Sequence, residues 1–397
     1  MKKKKLLTLV GSICLSLVLA ALLLPACAPA APEEEVAELE AELAAKDAEI
    51  TGLEGDIDDL EDEVSDLEKE ITALKKPVKV LEWEPSTWSP AGMVWDDLCF
   101  MCDYINEASD GRIVATPSSP GAVCPVEEQL DAVAIGTTEA MNMYPGYYAG
   151  KVPITFIQAN GAAGPTTPGE LRDMFEFWED GRIWEIQQEE YANYGDIVLV
   201  KNHYRIADMI MNSNVPLYGV DDVEGVMFRT SELTAEALAY LGAATVWCPG
   251  GEIYTMLATG AVDACTYSCP ATDIAMSFHE VTKYWVTKPL CLGPGANAFV
   301  VNGTVWNGLG DDLQAIVKSA VDAGSMRDIL TAGTANVRAS KFAADYGIEF
   351  IEWSDEDCIT FAEANRACLG PYYADPAAAE TLDIMERWMI DMGYWLE

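Results

Sequence analysis

Residues 250–270, GGEIYTMLATGAVDACTYSCP, gather side-chain types that chemistry often uses: thiols at Cys265 and Cys269, the hydroxyl of Thr266 and the phenol of Tyr267, all directly after a short glycine-bracketed helix. Hydroxyls hydrogen-bond ligand oxygens, and thiolates bind metals or exchange disulfides. Nothing nearby completes a catalytic set. The four-residue spacing of Cys265 and Cys269 runs through the strand-like TYS and stops at Pro270, which speaks against a helical metal pair. Cys99 and Cys102 form a C-x-x-C on an expected helix, the spacing of a redox pair or of half a metal site, but the other half is missing. With Cys124, Cys248, Cys291, Cys358 and Cys368, nine cysteines follow Cys27. An odd number cannot all pair internally, so a disulfide, buried free thiols and a metal or redox site stay open. His203 and His279 are too few for a histidine-rich zinc site, and neither has a nucleophile and orienting group beside it in sequence. There is no phosphate-cradling glycine loop, dinucleotide fingerprint or nucleophile elbow. The expectation is a protein that is not an enzyme and carries no cofactor or metal.

The 397-residue chain has 65 acidic and 24 basic residues and a formal charge of -41. Such a charge repels nucleic acid and anionic lipid headgroups. The N-terminal MKKKKLLTLVGSICLSLVLAALLLPAC, basic and then apolar, reads as an export signal over residues 1–26. Its LPAC resembles a lipobox, with Pro25 an unusual occupant. This implies a mature N-terminus at a lipidated Cys27, with the chain outside the cytoplasm and anchored by lipid rather than by surface charge.

A linker over 27–35 precedes a heptad pattern over 36–76. Val36, Leu43, Ile50, Ile57, Val64 and Ile71 fall at a; Leu39, Lys46, Leu53, Leu60, Leu67 and Leu74 fall at d. Branched residues at a with leucine at d favour a parallel coiled coil, two strands over three, so a homodimer through this stalk is one expectation. Between Glu33 and Leu74 stand 18 acidic residues and two lysines, which oppose assembly at low salt. Pro77 is expected to end the rod.

From Val78 short apolar runs alternate with helical periodicity. VKVLEW, GRIVATPS, DIVLV, GVMFR and IEFIEW read as strands; GMVWDDLCFMCDYINEAS, LTAEALAYLG and the long run up to Gly347 read as helices. Strand–helix alternation with glycines at the transitions predicts an α/β fold.

Four ordered blocks carry a resemblance: PGAVCPVEEQLDAVAIGTTEAMNMYPGYYAGKVP, GVMFR, LTAEALAYLGAATVWCPGGEIYTMLATGAVDACTYSCP and ANAFVVNGTVWNGLGDDLQAIVKSAV. In order and spacing they resemble the solute-binding proteins of TRAP transporters, the DctP family, over residues 78–397. The resemblance implies a periplasmic-binding-protein-like fold of two interleaved α/β lobes around a cleft, which captures a small organic acid and delivers it to a sodium-driven permease. It implies that Arg229, at a strand end, clamps the ligand carboxylate. A planar guanidinium fork suits that partner, and in so acidic a chain it makes a local positive point. It places Thr266 and Tyr267 in the cleft, where members that bind 2-oxo acids carry a glutamate and a tryptophan and the glutamate helps hold a metal ion. Threonine puts that ion in doubt here, whereas tyrosine keeps an aromatic wall and adds a donor. Asn302, Tyr147, Tyr148 and Trp88 are further expected ligand neighbours, and Glu252 a structural residue in a first helical turn. A lipid-anchored adhesive protein, or a sensor component with the same fold, are the alternative readings.

Overall fold

The computed structural model describes residues 33–74, 80–160 and 164–394. The export signal, Cys27 and Pro77 lie outside the described residues. Two units emerge, Met1–Val78 and Lys79–Glu397. Among the described residues no helix is long and apolar enough to cross a membrane.

Within the first unit Glu33–Leu74 is one continuous helix of 42 residues. Its described a and d side chains from Val36 to Ile71 are exposed, as expected of a stripe whose burial requires another helix. Lys46 pairs with Glu49 and Lys69 with Asp66, both in solvent, where such pairs contribute little.

The second unit is α/β. Its strands are β1 Leu81–Trp83, β2 Ser86–Thr87, β3 Ile113–Ala115, β4 Ala140–Met143, β5 Ile197–Met209, β6 Met211–Ser213, β7 Met227–Arg229, β8 Ala244–Val246, β9 Ala264–Thr266, β10 Tyr284–Lys288, β11 Leu292–Asn302 and β12 Glu349–Glu352. One sheet has the order β2-β4-β11-β5 and another β12-β10-β6-β9-β7-β8, while β1 and β3 form a parallel pair. The chain crosses between the two large sheets where β5 passes through Ile210 into β6, and again over residues 289–291 between β10 and β11. The helix Asp311–Tyr346 lies against β5, the helix Met93–Ala108 and the helix Pro270–Ala275, and so braces both sheets.

Each large sheet has its own apolar core, one with Met141, Phe156 and Trp388, the other with Met211, Phe228 and Trp353. A third cluster, with Trp88, Tyr144, Tyr267 and Phe278, takes residues from both sides and lies at the site described below.

Two elements differ from the sequence reading. The expected strand DIVLV is the start of β5, which runs 13 residues to Met209 and stays largely buried on both faces. The acidic helical stretch after Pro168 breaks at Glu179 and Asp180, whose φ angles are 47° and 58°. Non-glycine residues adopt that conformation only when held. Arg387 holds Glu179 with two hydrogen bonds of 2.7 Å, one to each carboxylate oxygen.

Candidate functional site

Arg229 ends β7, an interior strand flanked by parallel β8 and β9. The chain leaving each neighbour therefore passes beside its guanidinium. Nε and Nη2 donate to the Cys248 carbonyl at 3.0 and 2.6 Å, and Nη1 donates to the Thr266 carbonyl at 3.0 Å. Nη2 also lies 3.4 Å from the Tyr147 hydroxyl, which comes from the other sheet's side. The residue is 1% exposed. Among the described residues no carboxylate lies within ion-pair distance of it; the groups in contact with its charge are carbonyl dipoles, the Tyr147 phenol and the Tyr267 ring. A buried charge without a counter-ion is costly, and a ligand anion relieves that cost.

Tyr267 follows β9, with its ring 5.4 Å from the Arg229 guanidinium. Its hydroxyl is buried; Ser89 is beside it, but no hydrogen bond of ordinary geometry joins the two. Gly250, the first residue of the helix Gly250–Thr259, abuts this phenol, and a Cβ there would fall 2.1 Å from the oxygen. The helix stops at Gly260, in the left-handed region at φ 69°, and returns the chain to β9. The glycine-bracketed helix thus lets the chain reach the Thr266–Tyr267 corner and leaves room for the ring.

Trp88, Tyr144 and Tyr147 face this corner from the first sheet's side. Trp88 meets Tyr267 edge-on at 5.3 Å and Tyr144 at 5.6 Å, and Tyr147 meets Trp247 at 5.4 Å. Arg205, from β5, lies 5.6 Å from the Trp88 ring, with Nη2 3.5 Å from the Ser268 hydroxyl. Trp88, Tyr144, Tyr147, Arg205, Tyr267 and Ser268 line a cavity of about 20 Å³, room for a water molecule. Tyr147 and Ser231 also line a second, wider cavity of about 530 Å³, together with Thr230, Trp247, Glu127 and Glu236. Arg205 lines the small cavity with the aromatic rings, while Arg229 lines neither cavity and touches Tyr147 and Tyr267; guanidinium groups beside aromatic rings are chemistry that suits a small anion.

Residues 86–375 match the family model described as bacterial extracellular solute-binding protein, family 7, or DctP. The chain belongs to this family. A monocarboxylate 2-oxoacid-binding periplasmic protein from Nostoc sp. is 28% identical over 54% of the chain and 58% of that protein, so the chain spans little more than half the length of this curated relative. A TRAP transporter solute-binding protein from Bordetella bronchiseptica, with calcium and picolinate bound, superposes with a TM-score of 0.72 at 21% identity, covering 80% of this chain and 94% of that one. One from Colwellia psychrerythraea with calcium and pyruvate has a TM-score of 0.69 at 24% identity, covering 80% and 96%. These superpositions show the fold.

In this family 7 protein the structure brings together Arg229, Tyr267, Tyr147 and Trp88. The side chains of the other expected neighbours make different contacts. The Thr266 hydroxyl is 2.8 Å from that of Thr230, and the residue meets Arg229 through its carbonyl. Tyr148 is buried beside Tyr147 with its hydroxyl on the Val126 carbonyl, because consecutive residues of a 3-10 turn point in different directions. Asn302 caps the helix Gly303–Asn307 by accepting from Val305 N–H and donates to the Val133 and Asp196 carbonyls, which makes it a structural residue. Arg205, Tyr144 and Trp247 escaped the sequence reading. For Arg205 the available signal was an arginine inside a long apolar strand in a chain short of cations.

The Thr266 hydroxyl is taken up by Thr230, and none of the residues around the small cavity is acidic. Among the described residues no group of three or more histidine, cysteine or acidic side chains is arranged to hold a metal. The donor set does not fit calcium, a cation that requires several anionic or carbonyl oxygens. All nine cysteines in the described region are free thiols, and burial pushes Cys102, Cys265 and Cys291 well above the ordinary thiol range. Thiols held protonated are poor nucleophiles and ligands.

Behind Arg205 lies a buried polar group. Asp328 accepts from Ile206 N–H at 2.8 Å and has a carboxylate oxygen 3.8 Å from Arg205 Nε, while Asp97 contacts Arg327. Burial, and then the neighbouring Asp328 carboxylate, push Asp97 up to about 8. His203 is held down to about 3, first by burial and then by Arg205, so it is neutral, with Nδ1 3.2 Å from the Asn142 amide. A carboxyl whose pKa rises on folding adds stability that is full below its unfolded value near 4 and lost as pH rises through about 8. The melting temperature of the wild-type protein is therefore expected to fall between pH 5 and pH 9 more steeply than that of Asp97→Asn, measured by circular dichroism. Equal slopes would mean that Asp97 is already ionised in the folded protein at neutral pH.

Proposed function

We propose that the protein captures a small carboxylate-bearing solute outside the cytoplasm and delivers it to a TRAP-type membrane permease. The buried Arg229 guanidinium, with carbonyl and phenol contacts but no acidic partner, carries this reading. The ligand carboxylate sits on Arg229 in place of the Tyr147 hydroxyl. Arg205, Ser268 and the free Tyr267 hydroxyl serve an acceptor two or three bonds away, such as a keto or hydroxyl oxygen. The aromatic box limits the ligand to a few heavy atoms or a flat ring. Opening swings the two sheets apart about the β5–β6 and β10–β11 crossings, and closure re-forms the Trp88–Tyr267 and Tyr147–Arg229 contacts over the bound acid. A lipid on Cys27, with the helix Glu33–Leu74 as spacer, keeps the receptor concentrated near its permease.

The test is isothermal calorimetry of ligand-free protein against pyruvate, longer 2-oxo acids, 2-hydroxy acids, pyroglutamate and picolinate, with the corresponding amides as controls. At least one acid is expected to bind while its amide does not. Folded, ligand-free protein that binds none of them, or binds amides equally, would sink the reading. Affinity is further expected to stay within about twofold between millimolar calcium and EDTA, because none of the residues lining the small cavity is acidic. A larger loss in EDTA would show that a metal is held after all.

A further inference from the structure

The solute site leaves the helix Glu33–Leu74 without a task beyond spacing, yet its side chains are sorted in a way that spacing does not require. The apolar a and d residues between Val36 and Ile71 form one seam, each described side chain between 42% and 66% exposed. Each e position, Glu40, Asp47, Glu54, Glu61 and Glu68, is acidic, as is each g position from Glu42 to Glu70. Of the fifteen b, c and f positions between Ala37 and Lys69, only five are acidic. Solubility alone would send charge outward, to b, c and f. Here it flanks the seam, where the residues of one helix meet those of its partner and decide which partner is accepted.

A second copy of the chain, the occupant that the apolar heptad alone suggests, meets acid with acid at each of those contacts. It also sets Lys46, the one charged d residue, against its own twin. Both conflicts vanish with a helix of opposite charge. We propose that Glu33–Leu74 is one strand of a heterotypic parallel coiled coil, whose partner has an apolar a/d seam, lysine or arginine at e and g, and an acidic residue opposite Lys46. The surface is independent of the solute site and fits a second protein with a basic helix, joined end to end along the stalk.

The test titrates the full-length protein with a synthetic helix that has the same a and d residues, lysine at each e and g and glutamate opposite Lys46. A control peptide has glutamate at each e and g. At neutral pH and moderate salt the basic probe is expected to bind at least about tenfold more tightly than the control by fluorescence anisotropy, and to weaken as salt rises. The seam variant Ile57→Asp/Leu60→Asp is expected to lose at least about tenfold in affinity for the basic probe. Equal binding of that probe to wild type and seam variant would reduce the effect to adhesion on an acidic surface and overturn the proposal. A stable homodimer of the protein alone under these conditions, by sedimentation, would overturn it in favour of a second copy.

Discussion

Arg229→Lys is expected to weaken binding of the cognate acid by about a hundredfold or more, a loss of ~3 kcal/mol, while the protein stays folded. Arginine here does two things at once. Three of its donor contacts go to the Cys248 and Thr266 carbonyls, which fix the plane of the fork, and Nη2 also reaches toward Tyr147. Lysine keeps the charge and can reach one carbonyl, but it has no planar pair of donors to spend on a carboxylate. The substitution therefore separates geometry from charge, which an alanine would not do, since alanine also strands two buried acceptors. Calorimetry with the tightest acid, alongside thermal melts of both proteins, reads the result. Unchanged affinity would remove the carboxylate from Arg229. If Arg205→Gln abolished binding while Arg229→Lys did not, the roles of the two arginines would have to be exchanged.

The contrast between these arginines shows what a sequence can reveal about such a site. Arg229 could be picked out because short blocks around it resemble a family. The helix Asp311–Tyr346 and the Glu33–Leu74 seam could be read because helical periodicity is local. Arg205 belongs to a strand that begins in one sheet and hands the chain to the other. Its place beside Trp88 and Ser268 depends on residues 117 and 63 positions away, and no local pattern encodes that. Asn302 shows the converse. Its partners Val133 and Asp196, 169 and 106 residues distant, turn a plausible ligand amide into a helix cap. Tyr147 and Tyr148 were indistinguishable as neighbours, and only the pitch of one 3-10 turn sends the first to the cleft and the second to the core.

Closure should be equally sensitive to a residue that touches no ligand. Gly250→Ala places a methyl group 2.1 Å from the Tyr267 oxygen and 2.5 Å from its Cζ, far inside contact distance. A flexible side chain would step aside, but the Tyr267 ring is held edge-on by Trp88 at 5.3 Å and by Phe278 at 5.7 Å. The ring therefore has to shift against these two neighbours, one of which, Trp88, comes from the first sheet's side. The cores around Phe156 and Phe228 are untouched, and the protein is expected to fold with a stability loss of about 1–3 kcal/mol. The closed form, which relies on the Trp88–Tyr267 contact, is expected to lose more, and ligand affinity with it, by about tenfold or more. Small-angle scattering with and without the acid should then show compaction in wild type and little or none in Gly250→Ala. Gly251→Ala is the matched control: a Cβ there meets nothing within 4 Å, and one more alanine in a helix is neutral or stabilising. If Gly250→Ala bound and compacted like wild type, the Tyr267 ring would not be what joins the two sides. The selectivity for small acids would then have to come from the two arginines alone.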